Sequence, residues 1–326
     1  MAHRVLIVGC GELGSRHLQA VASLAAVSEV EVVDSRPEAL EIGRSRFLAV
    51  PDRNESIEAR WLTSLKDVSG GGSLCVVATQ AAGRCALVEE IAETAGYASF
   101  LLEKMVAQSV LDYRSLLEFS KGRGLSVWVN CKTRAHESHK RVKQHLDPNS
   151  SITLSVIGGN HGLANNGIHM ADLFVFYDDA DHIESMGGHV DAQLHASKRP
   201  GILDLSGTLA GHSEKGSLFM LSFSKDHEVP ACFSVVSPRY RAIVDDMAQT
   251  FYESTPDNGW EWRQIDVHKN MLVSQMTKKF ASDILSSGSC ELPTLEQCFP
   301  AHEFILSELQ PHFNRLLKRE ADCPIT

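Results

Sequence analysis

The chain has no CxxC pair. Its eight cysteines, Cys10, Cys75, Cys85, Cys131, Cys232, Cys290, Cys298 and Cys323, are scattered. That spacing argues against a zinc site and against a disulfide scaffold, and predicts reduced thiols and no metal. Nor does any stretch approach the roughly 18 uninterrupted apolar residues of a membrane helix. The opening MAHRVLIVGCGELG reaches glycine and glutamate before the apolar core of an export signal could form, so a mature cytoplasmic start is expected. Basic residues are in the minority, 31 Lys and Arg against 41 Asp and Glu, for a formal net charge of -10. Nucleic acid and anionic membranes select basic faces and are disfavoured as partners, so any bound anion must meet a local basic site. There is no internal repeat and no low-complexity tract.

What is present is a globular composition, 43% hydrophobic and 22% charged, over 326 residues, a length that predicts two domains. The first third alternates strand-like and helix-like stretches: RVLIVG, SRHLQAVASLA, VSEVEVVDS, SLCVVAT, RCALVEEIAETAG and YASFLLEK. Such alternation implies parallel strands with helical crossovers. From about residue 125 the segments LSVWVN, SITLSVIGG, DLSGTLAG, SLFMLSFS and ACFSVVS follow one another at hairpin-like spacing, which predicts a largely antiparallel sheet. Two later helices are expected over 267–288 and 295–317, the second bent or split by Pro300 and Pro311.

The strongest motif is VLIVGCGELG, where Gly9, Gly11 and Gly14 form GxGxxG directly after a strand and before a helix. Gly9 allows the tight turn, Gly11 lets the backbone approach a pyrophosphate, and Gly14 lets the helix pack close to its strand. The helix start at Glu12 and Leu13 then directs its N–H groups at the phosphates. Asp34 closes the second strand about 20 residues after Gly14, where an acid accepts hydrogen bonds from the ribose hydroxyls and repels a 2′-phosphate. NAD(H) is therefore the expected cofactor, and Arg36, two residues on, keeps NADP(H) open. The fold class that follows is α/β: an N-terminal Rossmann dinucleotide-binding domain over 1–124, then a C-terminal α+β domain with a largely antiparallel open sheet over 125–326.

The fifth strand candidate, FLLEKMVA, stops at Glu103 and Lys104. In an open parallel sheet the ligand lies beyond the carboxyl ends of the strands, so both side chains should project towards the cofactor cleft. At this point the chain resembles the Gfo/Idh/MocA oxidoreductases, the family of glucose-fructose oxidoreductase and inositol dehydrogenase. The resemblance rests on VGCGELGSRH, on VVATQAAGR at the family's ATP-type strand end, on EKM in place of Glu-Lys-Pro, and on NNGIHMAD for its glycine-x-His-x-x-Asp segment. The later sheet and helices fit the family plan, so it covers nearly the whole chain. It implies that Thr79 and Gln80 lie beside the cofactor, that Lys104 contacts the substrate near the nicotinamide with Glu103 as its partner, and that His169 carries the proton. It also implies an arginine facing the substrate pocket after the first strand of the second domain, where Arg134 stands. Members acting on sugars or cyclitols usually carry an aspartate where this chain has Asn165. Met105 replaces a proline often bonded in cis, for which a trans or a strained bond is expected. Gln80 replaces another proline and Arg84 a histidine.

From the residues alone, a helix over 165–177 would place Asn165, His169 and Asp172 on one face of an otherwise apolar cylinder. A buried polar group without a partner costs about 1–3 kcal/mol, so that stripe must face a partner, water or a cavity. His169 is then a catalyst, a structural ring held by Asp172, or, with the weakest spacing, a metal ligand alongside His161 and His182. Its ordinary pKa of about 6.5 suits proton exchange near neutrality. Lys132 with Arg134, and Lys198 with Arg199, are basic pairs that either are solvated or bind the carboxylate or phosphate of an acidic or nucleotide-linked sugar.

The functional expectation is an NAD(P)-dependent oxidoreductase that moves a hydride between the nicotinamide and a carbinol or carbonyl carbon of a sugar-like small molecule: a sugar, a cyclitol or a nucleotide-linked sugar. Lys104 would hold and polarise the oxygen, His169 would take or supply its proton, Asn165 would donate to a second hydroxyl, and Asp172 would fix the histidine ring. Two other readings stay open, an NAD-binding sensor or assembly protein without turnover, and a reductase of a non-sugar carbonyl or imine. Too few helices follow residue 125 to cover both faces of the second sheet, even with residues 267–288 on one of them. The apolar strand SLFMLSFS therefore predicts a homodimer or homotetramer built through that sheet.

Overall fold

The alternating stretches near the N-terminus become six parallel strands: β1 (His3–Val8), β2 (Val27–Val33), β3 (Glu58–Leu62), β4 (Leu74–Val77), β5 (Ser99–Leu102) and β6 (Ser126–Val129). The computed structural model describes residues 2–160, 162–267 and 272–326. The strand order is β3-β2-β1-β4-β5-β6. Helices α1 (Glu12–Ala22), α2 (Pro37–Leu48), α3 (Arg84–Thr94) and α4 (Val110–Arg123) connect the strands. All of β4 and most of β1 is buried, as a parallel sheet covered on both faces requires, which explains the unbroken aliphatic runs. The order reverses between β1 and β4, so the carboxyl ends of these two strands open a crevice at the switch point.

The chain divides into two units. The first comprises Met1–Ala107, Leu111–Asn130 and Asn270–Leu295, and the second Gln108–Val110, Cys131–Lys269 and Glu296–Thr326. The expected boundary at 124/125 shifts because LSVWVN does not open the second sheet. As β6 it pairs in parallel with β5, where its apolar side chains complete the first sheet.

In the second unit lie helices α5 (Glu137–His145) and α6 (Gly167–Asp178) and the strands β7 (Thr153–Gly158), β8 (Glu184–Val190), β9 (His195–Ala196), β10 (Leu203–Asp204), β11 (Gly207–His212), β12 (Leu218–Phe223), β13 (Cys232–Val236), β14 (Arg241–Asp245), β15 (Thr250–Ser254) and β16 (Arg263–Gln264). Eight of them form one sheet, β16-β15-β14-β13-β7-β12-β11-β8, antiparallel except for the β7–β12 pair. Helix α7 (Val273–Ser287) was expected to cover this sheet, but it returns to the first unit and packs on α1. Residues 268–271 of that expected helix lie outside the described residues.

Helix α8 (Leu295–Leu317) is continuous through Pro300 and Pro311, so the expected split does not occur. Each interior proline costs about 3 kcal/mol, and the buried stripe of Phe304, Ile305, Leu309 and Phe313 opposes that cost. The core of this unit stacks Phe174 of α6 on Phe219 of β12 at 5.2 Å, with Phe304 edge-on to Phe219 at 5.8 Å. Strand β12 alternates: Phe219, Leu221 and Phe223 are buried, while Leu218 and Met220 on the other face are 43% and 38% exposed. No helix among the described residues is long and apolar enough to cross a membrane.

Candidate functional site

Strand β1 gives way to Gly9, whose φ of 87° lies in the left-handed region. A Cβ on Gly9 would lie 2.9 Å from the Thr79 nitrogen, and one on Gly14 would lie 1.7 Å from the Gly9 oxygen. Both contacts are with main chain, so both positions demand glycine. At Gly11 the nearest atom to such a Cβ is Arg36 Nη2 at 3.7 Å, and the space above it is open. Helix α1 starts at Glu12 and Leu13 with no side chain capping it, leaving main-chain amides of the kind that take a phosphate. The Glu12 carboxylate pairs with Arg46 at 2.7 Å and Arg16 at 3.4 Å.

Asp34, at the end of β2, is buried. Its Oδ2 accepts from the Cys10 amide at 2.8 Å, and its Oδ1 accepts from the Arg36 amide at 3.0 Å and Arg36 Nε at 3.2 Å. Burial works to raise its pKa, but the bonds from Arg36 and Cys10 outweigh it and hold the carboxyl below its ordinary value. Asp34 and Arg36, rivals in the sequence, are here one ion pair, and the arginine side chain is 66% exposed. The pair is open to solvent only on the arginine's side, so the guanidinium is the member that can turn away. With the guanidinium turned away the carboxylate can take ribose hydroxyls, and with it in place a cation faces the position of a 2′-phosphate.

The ends of β4 and β5 follow β1 in the sheet. Thr79 Oγ1 is buried with no hydrogen-bond partner, and Gln80 is exposed. The guanidinium of Arg84, 1% exposed, donates to the main-chain oxygens of Thr79, Glu103 and Met105 and so clamps the two strand ends together. Sequence reasoning noted Arg84 only as a departure from the family pattern. Its sole local signal is a long cation at the first position of α3 behind Gly83.

Glu103 corrects the expectation of a side chain facing a cleft. It is buried, and its Oε1 lies 2.8 Å from His17 Nε2 and 2.7 Å from Asn130 Nδ2. Burial raises its pKa, yet the hydrogen bond and charge of His17, with the Asn130 bond, bring it down to about 2. His17 Nδ1 meets Thr277 Oγ1 at 2.9 Å, so the carboxylate ties α1, β5 and α7 into one network. His17 and Asn130 escaped sequence reasoning because each stands far from Glu103 in the chain. Lys104, half-buried, leaves the end of β5 through a cis Lys104–Met105 bond, not the trans alternative.

In the second unit α6 begins at Gly167, so Asn165 lies in the turn before it and shares no helical face with His169. Its Nδ2 donates to the Leu203 oxygen at 2.7 Å and its Oδ1 accepts from the Thr326 amide at 3.0 Å. The amide pins main chain, where donation to a substrate was expected. Asp204, also missed, holds the same turn by accepting from the Ala164 and Asn165 amides at 2.9 and 3.3 Å.

Asp172 is fully buried. Arg134 Nε donates to its Oδ2 at 2.8 Å and Arg134 Nη2 to its Oδ1. The expected support of the His169 ring by Asp172 is therefore replaced by an ion pair, because a buried carboxylate is better matched by a planar guanidinium than by a neutral ring. Arg134, 7% exposed, spends its guanidinium on that carboxylate, where a group facing the substrate pocket was expected. His169 is half-buried in the first turn of α6. Lys198 and Arg199 are exposed on the turn between β9 and β10. His182 pairs with Glu303 at 3.4 Å. His161 lies outside the described residues.

No protein-family model and no curated sequence matches this chain. Solved structures do. An oxidoreductase from Agrobacterium radiobacter, in complex with NAD+, L-tartaric acid and magnesium, is 13% identical, with a TM-score of 0.76 over 98% of this chain and 98% of that one. The UDP-N-acetylglucosamine 3-dehydrogenase GnnA from Acidithiobacillus ferrooxidans is 15% identical, with a TM-score of 0.74 over 94% and 97% of the two chains. The chain has the fold of the Gfo/Idh/MocA-type oxidoreductases. The WlbA dehydrogenase from Bordetella pertussis, in complex with NADH and UDP-GlcNAcA, is similar too, at 17% identity and a TM-score of 0.68 over 92% and 93%. At such identities the likeness establishes architecture, and chemistry has to come from the residues.

Proposed function

We propose that the protein is a nicotinamide-dependent oxidoreductase acting on a carbinol or carbonyl carbon of a sugar-like substrate, with NAD(H) as its cofactor. One observation carries this reading: within a single unit the glycine turn, the unpartnered Thr79 Oγ1 and Lys104 stand at the ends of the neighbouring strands β1, β4 and β5. Those residues fit a dinucleotide, which when bound supplies hydride exchange at C4 of its nicotinamide. The turn at Gly9 and Gly11 and the amides at the start of α1 take the pyrophosphate, and Asp34 takes the ribose once Arg36 moves aside. Lys104 holds and polarises the substrate oxygen. His169 accepts or returns its proton, a task for which an imidazole is matched near neutrality. Arg134, Asn165 and Asp172 shape the second unit and leave the substrate to other groups.

One of the similar solved proteins is named for a nucleotide-linked sugar, and another is in complex with UDP-GlcNAcA. Together with the exposed basic turn at Lys198 and Arg199, this favours an acidic or nucleotide-linked sugar, whose carboxylate or phosphate that turn can meet. The test is absorbance of the reduced nicotinamide during incubation with pooled nucleotide sugars, sugars and cyclitols. Lys104→Ala should abolish turnover and leave NAD(H) affinity nearly intact. His169→Ala should lower kcat about 10²- to 10⁴-fold, the usual worth of a positioned acid or base. Cofactor binding without absorbance change in any pool would make the protein a sensor.

The outer face of the eight-stranded sheet supports assembly as a homodimer or homotetramer. Ile157 and Val236, 55% and 48% exposed, join Leu218 and Met220 in an apolar patch of the kind that marks an interface. Sedimentation at micromolar concentration should give a multiple of 35.8 kDa, and a single species of 35.8 kDa would overturn this assembly.

A further inference from the structure

A buried polar cluster in the second unit takes no part in the chemistry above. His136 precedes α5 and His139 lies one turn on. Both approach one oxygen of Asp246, just past β14: His136 Nδ1 and His139 Nε2 each lie 3.0 Å from Asp246 Oδ2. Ser138 Oγ is 3.3 Å from the other carboxylate oxygen. The three candidate ligand atoms all fall within 4.8 Å of one another, and the two rings stack at 26° with centroids 5.9 Å apart.

We propose that His136 Nδ1, His139 Nε2 and the carboxylate of Asp246 form a binding site for one divalent transition-metal ion of the zinc class. The two histidine–carboxylate contacts are close to what coordination needs. Metal–ligand lengths of about 2.0–2.2 Å in a tetrahedron separate neighbouring ligand atoms by roughly 3.3 Å, so the observed 3.0 Å contacts need to open by only a few tenths of an ångström. The donor set is equally apt. Two imidazoles and a carboxylate suit zinc and its neighbours, whereas calcium and magnesium prefer oxygen alone.

The outer contacts agree. His139 Nδ1 lies 2.5 Å from the Tyr177 hydroxyl, the kind of second bond that fixes the ring of a metal-bound histidine. Asp246 is 15% exposed, which gives an ion a way in. The other cluster of ligand type among the described residues, Cys131, Asp172 and Cys298, is fully buried, and Arg134 already occupies both oxygens of its carboxylate. A cation there would face a guanidinium.

The full chain, freed of metal with a chelator and then incubated with Zn2+, should retain one equivalent after gel filtration and melt at a higher temperature. Loaded with Co2+ instead, it should show the visible d–d bands of a four- or five-coordinate ion and no sulfur-to-cobalt charge-transfer band in the near ultraviolet. His139→Gln and Asp246→Asn keep the side-chain size, and each should weaken Zn2+ binding by more than about 100-fold, beyond the loss typical of an outer contact. Cys131→Ser should bind as wild type does. The wild-type loading needs no variant to fold, and circular dichroism melts report on the folding of each variant. Failure of the wild type to hold Zn2+, a thiolate band with Co2+, or wild-type affinity in folded His139→Gln would each overturn the proposal.

Discussion

The two units handle polar groups in opposite ways. In the first, the groups proposed to meet the cofactor are largely main chain, the turn at Gly9 and the start of α1, joined by Asp34, Thr79 and Lys104 at strand ends. In the second, the polar residues that stand out in NNGIHMAD are bonded into the interior, Asp172 to Arg134 and Asn165 to main chain. A crevice at the switch point of a parallel sheet is set by topology, and the groups around it are those of the strand ends. A polar side chain on a buried helix belongs to whichever charge or main-chain group can satisfy it.

The hardest test of that contrast is Asp172→Ala, which strands the guanidinium of Arg134 in the interior. Breaking a buried pair costs about 3–5 kcal/mol, so urea unfolding should show a loss of that order. Wild-type stability with turnover lost would put Asp172 among the reacting groups and break the comparison.

A smaller effect is expected in acid. Glu103 titrates at about 2 in the folded chain against an ordinary 4.5. Its contribution to stability is therefore complete above about pH 4.5 and is lost as pH falls through about 2. Glu103→Gln should flatten the acid limb of the stability curve in that window, measured by thermal melts from pH 5 to 2. An unchanged limb would mean that the His17–Glu103–Asn130 network does not act through charge.

The mildest change is Arg36→Ala, which opens Asp34 without touching the core. Calorimetric titration should show NADP(H) affinity falling by roughly tenfold, about 1.4 kcal/mol, with NAD(H) binding held or improved. Tighter NADP(H) binding in the variant would remove the arginine from the ribose site.

Much of the first unit could be read directly. GxGxxG after RVLIVG, Asp34 behind the next strand and EK after FLL fall at the ends of β1, β2 and β5 as read, since strand period and glycine sterics are local properties. LSVWVN went to the wrong sheet because a short apolar strand carries no mark of its partner, and its pairing with β5 is a contact between distant segments. The spacing of His136 and His139 was equally visible, but it acquired meaning only when Asp246, more than a hundred residues later, came to lie between the two rings.

Sequence alone determined the alternating strands and helices, the glycine turn and the acid behind it, because these depend on the periodicity and sterics of neighbouring residues. Tertiary structure alone decided that α7 returns to the first unit, that Glu103 serves His17 and Asn130, and that Asp172 belongs to Arg134. In a low-dielectric interior a charge takes the best-matched partner within reach, and which partners are within reach is known only once the chain has folded.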